Sequence, residues 1–168
     1  MIYYMRNRDH LTNGLLVMIS KISEISSTDK MVEIGSYCGE SSILFSNKFK
    51  EVYCVDPWKG GYDDTDHASN SDMILVENEF DFRTISYKNI IKLKTNSVEA
   101  LGLFDDNSLD FVYIDGNHQY EYVKIDINSW KSKIKKGCYI GGHDYVESGP
   151  IYFAVNDTIG IPDYRFED

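Results

Sequence analysis

At 168 residues, 42% hydrophobic and 26% charged, the chain fits one compact domain whose core needs neither disulfides nor a structural metal. Acidic residues outnumber basic ones by 27 to 17, and a formal charge of −10 repels polynucleotide phosphate and anionic lipid, so no nucleic-acid partner is expected. The longest clearly apolar run, 15–19, is far short of the roughly 20 residues that span a bilayer, the first ten residues carry no signal-peptide core, and three cysteines outside any CxxC or zinc spacing suit free packing thiols, so a cytoplasmic protein away from membranes is expected.

Leu11, Leu15, Met18, Ile22 and Ile25 recur at steps of three and four, which predicts an amphipathic helix ending near Ser26. Short runs rich in branched and aromatic residues at 31–34, 52–55, 90–94, 109–114 and 138–140 read as five strands. Helices are expected between them at 41–49, 73–84 and 120–134, the last with Val123, Ile127, Trp130 and Ile134 on one face. Tyr120, Tyr122 and Trp130 follow that helical pattern and read as core. Lys135, Lys136 and Gly137 read as its cationic end and glycine stop. Strands alternating with helices require right-handed crossovers, so the fold class is α/β, an open, mostly parallel sheet with helices on both faces. A sixth strand is expected to start near Tyr164. Residues 59–72, KGGYDDTDHASNSD, form a long polar connection at the carboxyl edge of the sheet and read either as a solvated loop or as a mobile lid.

The segment EIGSYCG, 33–39, begins in the first strand and runs into a helix, so Gly35 and Gly39 let the backbone turn tightly. Its ExGxxxG spacing is neither the GxGxxG of nicotinamide dinucleotide sites nor a P-loop. Asp56 closes the second strand about twenty residues beyond Gly35, where an acid can accept hydrogen bonds from two ribose hydroxyls, so an adenosyl cofactor is favoured. Asp115 and His118 lie just beyond the fourth strand, and His143 and Asp144 just beyond the fifth. Adjacent parallel strands sit about 4.8 Å apart, so the two groups are able to converge on one oxygen-liking divalent cation. Asp115 also suits a helix cap or turn, Asp144 an Asx turn, and each histidine an orienting partner.

These segments, VEIGSYCGESS, YCVDPW, TNSVEAL and LDFVYIDGNHQYEYVKIDINSWKSKIKKGCYIGGHDY, resemble the class I S-adenosylmethionine-dependent methyltransferases, and within them the methyltransferase-24 branch. That branch includes metal-dependent sugar and macrolide O-methyltransferases and cephalosporin-hydroxylase-like proteins. The resemblance implies a Rossmann-like sheet, S-adenosylmethionine as cofactor, and Mg2+ or another divalent cation. It implies a cofactor-binding core over 31–157, between an N-terminal helical segment, 1–30, and a C-terminal segment, 158–168. By the same resemblance Glu33, Gly35, Ser36 and Gly39 surround the methionine end, Asp56 holds the ribose, Asn96 and Ser97 the adenine, and Trp58 flanks the purine. Asp115, His143 and Asp144 are the implied metal ligands.

Two departures bear on chemistry. Asn117 stands where the resemblance implies a second acid acting as base, and an amide does not accept that proton, so the base falls to His118 or His143. His143-Asp144 stands where some relatives carry two adjacent acids. The chain also ends soon after Tyr164, so the family's antiparallel hairpin reads as incomplete and leaves a sheet edge open to a second subunit. The expected activity is O-methylation of a small hydroxylated metabolite or sugar. The alternatives are an N-methyltransferase or cephalosporin-hydroxylase-like enzyme in the same crevice, and a silent adenosyl-binding module.

Overall fold

The computed structural model describes residues 11–166, with side chains described from 13 onward. The expectation drawn from the first ten residues lies outside the described residues. Helix α1 (Leu11–Ile25) precedes β1 (Lys30–Ile34), α2 (Glu40–Ser46), β2 (Glu51–Val55), α3 (Met73–Thr84) and β3 (Ile90–Leu93). Then follow the short α4 (Ser97–Ala100) with a 3-10 turn (Leu101–Leu103), β4 (Leu109–Ile114), α5 (Tyr120–Trp130), β5 (Ile134–Gly142) and α6 (Pro150–Thr158). The five strands run parallel in the order β3-β2-β1-β4-β5. Chain direction across the sheet reverses at β1 and β4, so the ligand crevice of such a sheet falls at their carboxyl ends.

Strand alternation divides the core. Met31, Phe111 and Tyr113 face α1, α2 and α3, where Phe45 and Phe49 pack on them, Phe45 at 5.1 Å from Tyr113. Val32, Ile34, Val112 and Ile114 face the other way, onto Val123, Ile127, Trp130, Ile151 and Ala154. Side chains of period two, buried on both faces, are what a parallel sheet needs.

Three expectations are corrected. Helix α5 ends at Trp130, four residues early, and Lys135 to Gly137 belong to β5. The reason is Asp110, fully buried in β4, which accepts hydrogen bonds from the Asp29 and Lys30 amides and needs the Lys135 ammonium at 2.7 Å. No strand starts near Tyr164 among the described residues. Its ring instead lies 6.3 Å from Tyr139 and 6.4 Å from Phe166, and the regular element of this region is α6, with Gly149 extended at its N-cap and Pro150 in its first turn. Tyr122, read as core, is exposed, whereas Trp130 is fully buried.

Candidate functional site

The β1–α2 connection turns on Gly35 and Gly39, both left-handed at φ 85° and 82°. A Cβ on Gly35 would lie 2.0 Å from the Asp115 carbonyl oxygen, so this glycine is required by the close approach of the β1 and β4 ends. On Gly39 it would press on Phe80 and Thr84 of α3. These contacts lock the loop to two neighbouring strand and helix ends.

Glu33 is fully buried and accepts hydrogen bonds from the Ser41 and Ser42 hydroxyls of α2. Burial pushes its pKa up against those bonds. Glu33 therefore braces the loop and helix from beneath. Ser36 is also buried, and its hydroxyl has no partner at hydrogen-bond geometry. It nevertheless lies close enough to the buried Glu33 carboxylate and Cys54 thiol to act to lower their pKa values against burial.

Asp56 links the same loop to β2, one carboxylate oxygen accepting the Tyr37 amide at 2.9 Å and the other the Trp58 amide at 2.7 Å. Burial raises its pKa and the amides oppose that shift. Each oxygen retains acceptor capacity, which fits ribose hydroxyls. The Trp58 indole donates to the Tyr37 carbonyl at 2.8 Å and is packed by Phe80 and the Lys92 ammonium. It is a core side chain here, 5% exposed. Asn96 caps α4 by accepting the Glu99 amide at 2.9 Å. The Ser97 hydroxyl donates to Asp126 and accepts from the Trp130 indole at 2.8 Å, tying this turn to α5.

Beyond β4 and β5 the expected convergence occurs. His118 Nε2 lies 3.4 Å from Asp115 Oδ1, and its Nδ1 lies 3.6 Å from Asp144 Oδ2. His143 Nδ1 lies 3.0 Å from Asp144 Oδ1 and 3.6 Å from Asp115 Oδ1. Asp66, from the 59–72 connection, approaches His118 Nδ1 at 3.9 Å. The Asp115 hydrogen bond, aided by the charges of Asp144 and Asp66, holds the His118 pKa above the ordinary imidazole range against burial. Asp144 adopts φ 57°, a conformation Asp tolerates better than most residues. Asn117 accepts the Gln119 amide at 2.9 Å, an Asx turn two residues beyond Asp115.

Sequence reasoning did not find Asp66; its only trace is the acidity of a connection whose destination is tertiary. That connection is built around Ser69, 2% exposed, whose hydroxyl accepts the Tyr62 and Asp63 amides. It meets the cofactor loop through Ser71 and the Tyr37 hydroxyl at 2.8 Å.

The donor types at this cluster suit a hard divalent ion, yet among the described residues no group of three His, Cys, Asp or Glu side chains is placed to hold one. The arrangement is one of imidazoles on carboxylates. Chemically it can hold and move a proton. The Cys38 thiol, buried under α3, has its pKa pushed up to about 12 and offers no nucleophile.

Comparison with known proteins agrees with this architecture. The family model of a methyltransferase domain, methyltransferase-24, matches residues 32–145. The chain belongs to this family. It is 30% identical over 151 residues to the uncharacterized protein R132 of Acanthamoeba polyphaga mimivirus, covering 81% of this chain and 64% of that protein. It is 26% identical over 126 residues to the uncharacterized protein y4gI of Sinorhizobium fredii, covering 68% of this chain but 13% of that protein. The chain thus spans less than two-thirds of either relative. An rRNA methylase from Streptococcus thermophilus superposes with a TM-score of 0.61 at 10% identity, covering 95% of this chain and 83% of that one. Fibrillarin of Aeropyrum pernix, solved with natively bound S-adenosyl-L-methionine, gives 0.50 at 13% identity over 76% of this chain and 54% of that one. At such identities the likeness is one of fold.

Proposed function

We propose that the protein is an S-adenosylmethionine-dependent O-methyltransferase acting on a small hydroxylated metabolite or sugar. One observation carries this reading: the His118–Asp115 pair stands at the end of β4, against the Gly35 turn that the cofactor's methionine end would occupy. The adenosyl cofactor supplies an electrophilic methyl group on sulfonium. The chain's own residues then bind, orient and remove a proton. Asp56 accepts the ribose hydroxyls, and Gly35, Ser36 and Gly39 shape the methionine end above Glu33. Asn96 and Ser97 place the α4 turn beside the adenine, with Trp58 supporting the same wall from the core. His118, oriented by Asp115, takes the acceptor hydroxyl's proton as the oxygen gains the methyl group, and His143 on Asp144 stands as its neighbour.

The charge of −10 supports a small-molecule acceptor over a polynucleotide, although a structural neighbour is an rRNA methylase. Free cysteines support a cytoplasmic location. Among the described residues no helix is long and apolar enough to cross a membrane. Divalent-metal assistance through Asp115, His143 and Asp144 is a second reading; the donor types suit it, but among the described residues no three of them are placed to hold an ion.

The test is transfer from labelled S-adenosylmethionine to a panel of hydroxylated and amino acceptors, with and without chelator. His118→Gln is expected to lower kcat at least about 100-fold while S-adenosylhomocysteine still binds. Because the His118 pKa is raised, the rate should rise with pH through a value above the ordinary imidazole range. Loss of turnover in chelator selects the metal reading. Transfer confined to amines selects N-methylation, and binding without transfer to any acceptor selects a silent module.

A further inference from the structure

Helix α3 is apolar on two opposite faces. Val76, Phe80 and Thr84 point into the core, as the turn spacing of four requires. On the reverse face Ile74, Leu75, Phe82 and Ile85 are 74%, 47%, 77% and 84% exposed. Leu75, Asn78, Phe82 and Ile85 fall at steps of three, four and three, the spacing of a helix-pairing seam with one polar position in it. Lone exposed apolar residues need no explanation, but three on one face of a 12-residue helix, continued by Ile85 at its C-cap, form a strip.

The charges flanking the strip are already neutralised within the chain. Glu77 pairs with Lys92 and Lys94, Asp81 with Lys92, and Glu79 with Arg83. The strip's rim is thus neither acidic nor basic, which does not select a charged partner and does not oppose a copy of itself. The adjacent β3 edge is guarded by Lys92 and Lys94, a common defence of edge strands, so association is directed to the helix rather than to sheet extension there.

We infer that α3 is the self-association surface of this protein, two copies pairing their Leu75–Asn78–Phe82–Ile85 strips about a two-fold axis. The strip exposes on the order of 500 Å² per copy, near the upper range for a patch on a monomer. Two copies bury about twice that, which reaches the ~1,000 Å² expected of a small specific interface. A two-fold interface is self-complementary, so one strip supplies both halves. The like charge of the two copies opposes approach and is screened by salt.

Sedimentation equilibrium of the 168-residue chain from about 1 to about 300 µM tests this. The expected result is a concentration-dependent dimer, tightened at about 0.5 M NaCl, that Phe82→Glu and Ile85→Glu each weaken about 100-fold or more. Both positions are exposed, so circular dichroism and thermal unfolding of dilute protein should match the parent. Two results overturn the inference. One is a parent that stays monomeric throughout. The other is a dimer that survives Phe82→Glu, which would move association elsewhere, such as the open edge of β5.

Discussion

Gly35 sits where two strand ends meet, and its hydrogen atom fills space that no side chain shares with the Asp115 carbonyl. Gly35→Ala adds both a backbone clash and a left-handed φ cost, together about 2–4 kcal/mol. Urea unfolding should show that loss, and a variant as stable as the parent would mean the β1 and β4 ends do not approach so closely. At this scale the sequence showed that Gly35, Asp56, Asp115, His118, His143 and Asp144 belong together, because strand ends collect at one crevice. It did not show that Gly35 faces protein backbone, that Asp56 is already engaged by two amides, or that Trp58 is buried by Phe80 and Lys92. Apart from the Trp58 amide on Asp56, two residues away, these are contacts between segments 19 or more residues apart, to which local pattern is blind.

Among the elements, the 59–72 connection is the one whose character the structure changes most. A polar stretch with two glycines reads as loop or lid, yet it folds around a buried serine, and its Asp66 reaches His118. Ser69→Ala leaves the Tyr62 and Asp63 amides without their acceptor, a loss of about 1–3 kcal/mol confined to this segment. Hydrogen exchange at those two amides should quicken about tenfold or more while amides of β4 stay as protected as before. Equal rates at Tyr62 and Asp63 in both proteins would show that Ser69 does not hold the connection. Strands β1, β2 and β4 and helix α3 were legible because branched residues and helical spacing act locally. The end of α5 was not, since Ile134 satisfies its helical face equally well and only the buried Asp110 draws Lys135 into β5. Helix α6 carries a local signal, Gly149-Pro150 before Ile151, Ala154 and Val155, that marks a helix start.

For the molecule as a whole, Asp126 links the α4 turn, α5 and the core through Ser97 and Trp130. Burial raises its pKa from 3.8 to about 6, with the Ser97 hydrogen bond opposing. Its ionised form is therefore worse accommodated folded than unfolded. The contribution to stability is complete below the unfolded pKa and is lost as pH rises through about 6, a difference on the order of 3 kcal/mol. Asp126→Asn keeps the shape and removes the titration. It should be more stable than the parent at about pH 8 and close to it at about pH 4, as read by urea unfolding. A variant less stable than the parent at the higher pH would mean that the carboxylate's hydrogen bond outweighs its burial.

What the sequence by itself determined is the alternation of strands and helices, the parallel sheet that follows from it, and the residues gathered at the carboxyl ends of the strands. Each follows from side-chain period, turn chemistry and crossover handedness, which act over a few residues or through chain connectivity. Only the tertiary structure decided that Asp66 joins the histidine cluster, that Asp110 sets the start of β5, and that α3 turns a second apolar face to solvent. These depend on which distant groups come within a few ångströms of each other and which apolar residues find no cover, and the energies of burial and charge exist only once the segments have packed.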